Sequence, residues 1–283
     1  MFLLKLLSRL PLPVLYLFAP LVYFVTYHLL GHRKHVLFDN LQQCFPQKSE
    51  AEIVALAKRN FRNFSEVLIE MLKGITMRDD DILRRVDLQN LEPLLEYAKL
   101  KQPMVILTAH QCNWEWLLLA ACLRLPFPLD VVYKPLAHDP FDDVMRQARG
   151  RFGGTLIAPE NFVAAIIQRK GQAVGLVMNA DQTPLKEEQK VWAKFLGRDT
   201  AFFIGADKIA RMTRAPVYFV AMRRRARGYY EAHISELALP PYGSGGYPVV
   251  ERYVLALEGL VLESPEDWLW VYNKWKYKKP LYG

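Results

Sequence analysis

Apolar residues fall along this chain in short blocks whose period changes. Met104-Val-Ile-Leu-Thr-Ala follows Pro103 as a brief run of apolar and β-branched residues, which predicts a strand buried on both faces of a parallel sheet. Asn113 suits the cap of a helix that starts at Trp114, runs through Trp116-Leu-Leu-Leu-Ala-Ala-Cys-Leu and stops before Pro126. Downstream the periods alternate. Strands are expected at Leu129–Lys134, Thr155–Ile157, Ala173–Met178, Ala215–Met222 and Tyr229–Leu237. Helices are expected from Pro140, capped by Asp139, to Arg149, then at Phe162–Lys170 and Phe202–Thr213. This order predicts the α/β class, a mostly parallel sheet flanked by helices.

Two longer apolar segments precede that alternation. From Ser49 to Lys73, Ile53, Leu56, Phe64, Leu68, Met71 and Leu72 recur at helical spacing, Ser49 and Glu52 form a capping box and Gly74 is a stop, so one amphipathic helix is expected. Leu10–Leu30 is 21 residues without a formal charge, between Lys5 and Arg9 on one side and His32-Arg-Lys-His35 on the other. At about 1.5 Å per residue it is long enough to cross a bilayer. It is too long for a removable signal peptide and lacks the small-residue cleavage site. Pro11, Pro13 and Pro20 leave open a tilted span, a helix in the interface and a buried hydrophobic hairpin. The expectation is an N-terminal hydrophobic membrane-anchoring helix in residues 1–35 and a catalytic domain in residues 36–283. Arg33 and Lys34 then place the bulk of the chain in the cytoplasm by the positive-inside rule.

Composition narrows the partners. The 283 residues can bury a large core, enough for one domain with an appendage. A net charge of +8 beside 52% hydrophobic residues points to an acidic partner: nucleic acid, anionic lipid or an acidic carrier protein. No nucleic-acid motif is present, so nucleic acid is not expected. Cys44, Cys112 and Cys122 are odd in number and lack metal spacing, which implies a reduced compartment and no metal site.

The candidate chemistry begins at His110, at the carboxyl end of the first strand, where open α/β sheets place their ligand crevices. A histidine takes a proton from a hydroxyl near neutral pH when a carboxylate holds its other ring nitrogen. Glu115, in the first turn of the following helix, is the nearest carboxylate along the chain. The alternative is that His110 ends a strand while Glu115 complements a helix dipole. A zinc site is disfavoured, because five residues do not return to one helical face. Asp181 and Gln182 follow another strand, again at a carboxyl edge, and are also good turn residues. Lys134 follows a strand, and Arg146, Arg149 and Arg151 lie on the next helix and its exit. Arg223-Arg-Arg-Ala-Arg227 is either an anion contact or a solvated hairpin turn.

Thr108-Ala-His-Gln-Cys-Asn-Trp-Glu115 resembles the H-x4-D/E block of the glycerolipid acyltransferase superfamily, in the form carried by bacterial lipid A late acyltransferases. Asn179-Ala-Asp-Gln-Thr-Pro184 resembles that family's Asp-Gln block. Val191–Gly197 with Phe202-Phe-Ile-Gly205 resembles its next block, and residues 265–279 its closing helix. Lys134 departs from an arginine of the family and Tyr272 from a histidine, and the family's two basic positions are here Asn273 and Lys274. The resemblance implies a membrane-bound O-acyltransferase of the bacterial inner membrane, its catalytic domain facing the cytoplasm. It implies transfer of a fatty acyl chain from acyl carrier protein or acyl-coenzyme A to a hydroxyl of a lipid A-type glycolipid precursor, with no cofactor. His110 would be the base and Glu115 its orienting carboxylate. Lys134, Arg149 and Arg151 would contact substrate, while Asp181 and Gln182 would orient the acceptor or the active-site loop. The alternatives are another acceptor (a lysophospholipid, an aminolipid or a mannosylated inositol lipid), a ping-pong mechanism on Cys112, and a basic membrane-binding module without chemistry.

Overall fold

The computed structural model describes residues 2–29, 33–133, 140–243 and 245–279, so Leu30, Lys134 and Asp139 lie outside the described residues. The chain begins with three short helices, α1 (Phe2–Ser8), α2 (Leu12–Tyr16) and α3 (Ala19–Phe24), the last continued by a π-helical turn at Val25–Leu29. The expected N-terminal membrane-anchoring helix is divided into these short helices, and no described helix is long and apolar enough to cross a membrane. Proline explains the break. Within a helix it removes a hydrogen bond and clashes with the preceding turn, whereas in a first turn it costs nothing. Pro13 and Pro20 occupy the first turns of α2 and α3, so each restarts a helix. Leu12, Leu15 and Ala19 are buried in the core, while Leu17, Leu21 and Phe24 stay 76%, 58% and 49% exposed.

These helices lie on α5 (Glu50–Gly74), which follows α4 (Lys34–Cys44). The capping box forms as expected: Glu52 N–H donates to Ser49 Oγ at 3.3 Å and Ser49 N–H donates to Glu52 Oε2 at 2.8 Å. A cap of this kind stabilises by about 1 kcal/mol. Next come α6 (Asp79–Arg85), β1 (Val86–Gln89), α7 (Glu92–Lys99), β2 (Pro103–Thr108), α8 (Trp114–Arg124), β3 (Leu129–Val132), α9 (Pro140–Gly150), β4 (Gly154–Ile157), α10 (Phe162–Gln168) and β5 (Val174–Asn179). The chain closes with β6 (Lys190–Phe195), β7 (Arg198–Phe203), α11 (Gly205–Thr213), β8 (Val217–Ala226), β9 (Tyr229–Ala238) and α12 (Pro248–Glu263).

Seven strands form one sheet in the order β1-β9-β8-β2-β5-β3-β4, parallel at every junction except β8–β9. β2 runs through its middle. Val105 and Leu107 point into one apolar cluster with α11 and α12, and Met104 and Ile106 into the other with α8, so helices cover both faces.

Three expectations change. Residues 190–203 form the separate hairpin β6–β7, and the helix expected from Phe202 starts at Gly205. The cause is a two-residue turn, Leu196-Gly197, with φ of 51° and 75°, the geometry that matches the twist of paired strands. The expected closing helix is instead a 3-10 turn at Pro265–Asp267 followed by irregular chain. Its carbonyls are satisfied from other helices: Asn60 Nδ2 donates to Glu266 and Trp268 oxygens, and Asn40 Nδ2 to those of Trp270 and Tyr272. The four arginines of residues 223–227 are all ion-paired within the protein, to Glu263, to Glu66 and Asp267, to Asp87 and Glu231, and to Glu66 again.

Candidate active site

Two adjacent strand ends build the site. β2 and β5 pair in parallel with Thr108 opposite Asn179, so residues two positions beyond each, His110 and Asp181, emerge side by side at the carboxyl edge. His110 N–H donates to Asp181 Oδ2 at 2.9 Å, and Nδ1 lies 2.7 Å from Oδ1. A carboxylate only accepts there, so Nδ1 carries a proton, and in the neutral imidazole Nε2 presents its lone pair. The amide nitrogens of Asn179 and Gln182 lie 3.3 and 3.4 Å from Nε2. Trp268 Nε1 donates to Asp181 Oδ2 at 3.0 Å, which fixes the carboxylate from behind. Tyr253, on α12, donates to the Thr108 carbonyl at 2.9 Å and ties the end of β2.

Burial alone would pull the His110 pKa down, but the charge and hydrogen bond of Asp181 outweigh it and hold the imidazole above its ordinary value. Burial likewise pushes Asp181 up, and His110 outweighs it and holds the carboxyl below its ordinary range. Both directions describe one pair that favours imidazolium beside carboxylate.

Glu115 does not touch the imidazole. Its carboxylate accepts from Arg149 Nε at 2.7 Å and Nη2 at 2.5 Å, a bidentate pair across α8 and α9, and from Trp114 Nε1 at 3.1 Å. The carboxylate paired with the imidazole is therefore Asp181, in place of the expected Glu115. The helix places Glu115 a turn away on the wall of the crevice, and the strand register delivers Asp181. Arg151 is not brought to the site: its guanidinium donates to the carbonyls of Gly74 and Met77 at 2.8 and 2.7 Å, closing the end of α5. Lys134 lies outside the described residues.

His110, Glu115, Arg149, Asn179 and Gln182 line one cavity of about 1130 Å³, above the range of about 300–1,000 Å³ usual for small-molecule pockets. From this polar end an apolar arm runs between α8 and the sheet, walled by Ile106, Leu117, Leu118, Ala121, Leu129 and Val131. Cys112 is not on that wall. Its thiol is buried, donates to the Met222 carbonyl at 3.5 Å, and is pushed well up by burial.

Sequence reasoning missed the contributions of Trp268 and Asn179. Asn179 carried a signal, since it ends a strand whose partner ends at Thr108. Trp268 carried none, because it reaches Asp181 from the far end of the chain.

The model of the family described as bacterial lipid A biosynthesis acyltransferase matches residues 1–277. The lipid A biosynthesis palmitoleoyltransferase of Escherichia coli (strain K12) is 24% identical over 276 residues, covering 95% of this chain and 87% of that protein. The lipid A biosynthesis lauroyltransferase of the same organism is 22% identical over 272 residues, with the same shares covered. Its myristoyltransferase is 23% identical over 254 residues, covering 85% and 74%.

Proposed function

Because the chain belongs to the bacterial lipid A biosynthesis acyltransferase family, and is thereby an acyltransferase, we propose that it esterifies a hydroxyl of a lipid A precursor with a fatty acyl chain delivered as a thioester. The His110–Asp181 pair at the polar end of a large cavity with an apolar wall carries this reading. The acyl chain lies in the arm, with its thioester carbonyl beside Nε2. His110 Nε2 takes the proton of the acceptor hydroxyl as the oxygen attacks, and Asp181 stabilises the imidazolium that results. The C–O ester bond forms, the C–S bond breaks, and the proton passes from Nε2 to the leaving thiolate. The Arg149 guanidinium, fixed by Glu115, offers its charge to an anionic group of the glycolipid. The donor is acyl carrier protein or acyl-coenzyme A, both of which present such a thioester.

The N-terminal helices support attachment to the membrane. Leu3, Leu6, Leu17, Phe18, Leu21 and Phe24 are exposed, and Lys5 and Arg9 lie among them in sequence, the composition of a helix face lying in the interface. The buried Cys112 thiol is a poor nucleophile, which favours direct transfer over an acyl-cysteine.

The test uses the full chain with an acyl thioester and a lipid A precursor, and reads the new ester by mass spectrometry. His110→Ala should lose about 10²- to 10⁴-fold in turnover. Cys112→Ser should keep most of it. A silent Cys112→Ser with an active His110→Ala would reverse the two roles.

A further inference from the structure

Glu70, on α5, has no part in the chemistry above and is fully buried. Four donors, from α2, β9 and α8 with its cap, converge on it. Tyr16, on α2, donates to Oε1 at 2.6 Å, while Tyr230, on β9, and the Asn113 amide donate to Oε2 at 2.6 and 2.8 Å. Trp116 Nε1, on α8, donates to its backbone carbonyl at 2.9 Å. Burial raises the carboxyl above its ordinary range, against the opposing pull of Arg224 and the three side-chain donors.

Asn113 lies between His110 and Glu115. Only its nitrogen can serve Glu70, so its oxygen faces inward and accepts from Trp116 N–H at 3.0 Å, capping α8. The residue before it, Cys112, sits at φ 55°, a left-handed conformation that a side chain disfavours. That turn needs a hold on each side. Cys112 N–H donates to the Asp267 carbonyl at 3.0 Å, and Asn113 is held by Glu70. Tyr16, on the other side of the same carboxylate, belongs to the helix whose neighbours Leu17 and Phe18 are exposed.

We propose that Glu70 is a positioning residue for His110, holding the 110–113 turn in its working form through Asn113, and that Tyr16 makes this hold depend on the seating of α2. The proposal rests on His110 being the base. Glu70→Leu removes the acceptor, Glu70→Gln keeps one, and Asn113→Ser keeps the helix cap without reaching Glu70.

Glu70→Leu and Asn113→Ser should each lower kcat per folded molecule roughly tenfold with the donor KM unchanged, as small misplacements of a catalytic group do. The double variant should be no worse than either. Glu70→Gln should recover most of the loss. A merely structural role would lower thermal stability and leave kcat per folded molecule alone. If Glu70→Leu does not fold, Tyr16→Phe takes its place. It should lower kcat severalfold, and this effect should vanish in the Asn113→Ser background. Wild-type kcat in Asn113→Ser, or additive losses in either pair, would overturn the proposal. His110→Ala is run beside them. Turnover surviving there overturns the base assignment and this proposal with it, whereas a dead His110→Ala beside a fully active Asn113→Ser counts against Glu70 alone.

Discussion

Asp181 is the residue on which the imidazole depends. Its carboxylate raises the His110 pKa, so the unprotonated base is lost as pH falls through a value above the ordinary histidine figure of about 6.5. The acid limb of kcat/KM should therefore lie above that figure. Asp181→Asn removes the raising charge and leaves the burial, so the limb should move to lower pH while kcat falls by about 10²- to 10⁴-fold. A pH–rate profile with an unmoved limb would show that Asp181 is not the electrostatic partner. Gly175 bears on the apolar arm. A methyl group there would meet Leu129 Cδ2 at 2.5 Å and Ile106 Cδ1 at 2.9 Å, and both side chains wall the arm. Gly175→Ala should push them inward, at a cost of about 1–3 kcal/mol in stability, and shift the preferred donor toward shorter chains. Competition between thioesters of different length measures this, and an unchanged preference would place the acyl chain elsewhere.

At the scale of elements, most of the sheet was legible because its strands are short apolar runs set between helical periods. The candidate site was half legible. His110 and Asp181 both stood out at strand ends, but their partnership depends on the β2–β5 register, which no local pattern carries, and nearness along the chain favoured Glu115 instead. The irregular segment after Pro265 misled for a similar reason: asparagines on α4 and α5 satisfy its carbonyls, so it needs no helix. Lys274, in that segment, is buried, donates to the carbonyls of Gln182 and Ala201 at 3.1 and 3.2 Å, and is pushed down to about 7 by burial. Between that pH and the ordinary lysine value of about 10.4, the unfolded chain binds a proton that the folded chain does not, so stability rises with pH. Lys274→Met should remove this part of the slope. Urea unfolding at several pH values should show the wild type gaining on the variant as pH rises, and parallel slopes would refute it.

For the whole molecule, the N-terminal helices give the protein one apolar flank. Burying a leucine or phenylalanine side chain is worth about 1.5–3 kcal/mol, so Leu17→Asp with Phe18→Asp should weaken binding to anionic vesicles by at least about tenfold. Sedimentation with vesicles measures it, and undiminished binding would assign attachment to another surface. The strand order also has a consequence for how the chain is made. β2 is central, yet its two neighbours begin only at Val174 and Val217, after β3 and β4 have left the ribosome. Until then a short apolar strand has both hydrogen-bonding edges unpaired, the state in which nascent chains adhere to one another. The same delay withholds Asp181 from His110, so an unfinished chain lacks the proposed base pair and should turn over no acyl donor. The His110–Asp181 pair and the closure of one edge of β2 arrive together with β5, and β8 then closes the other edge.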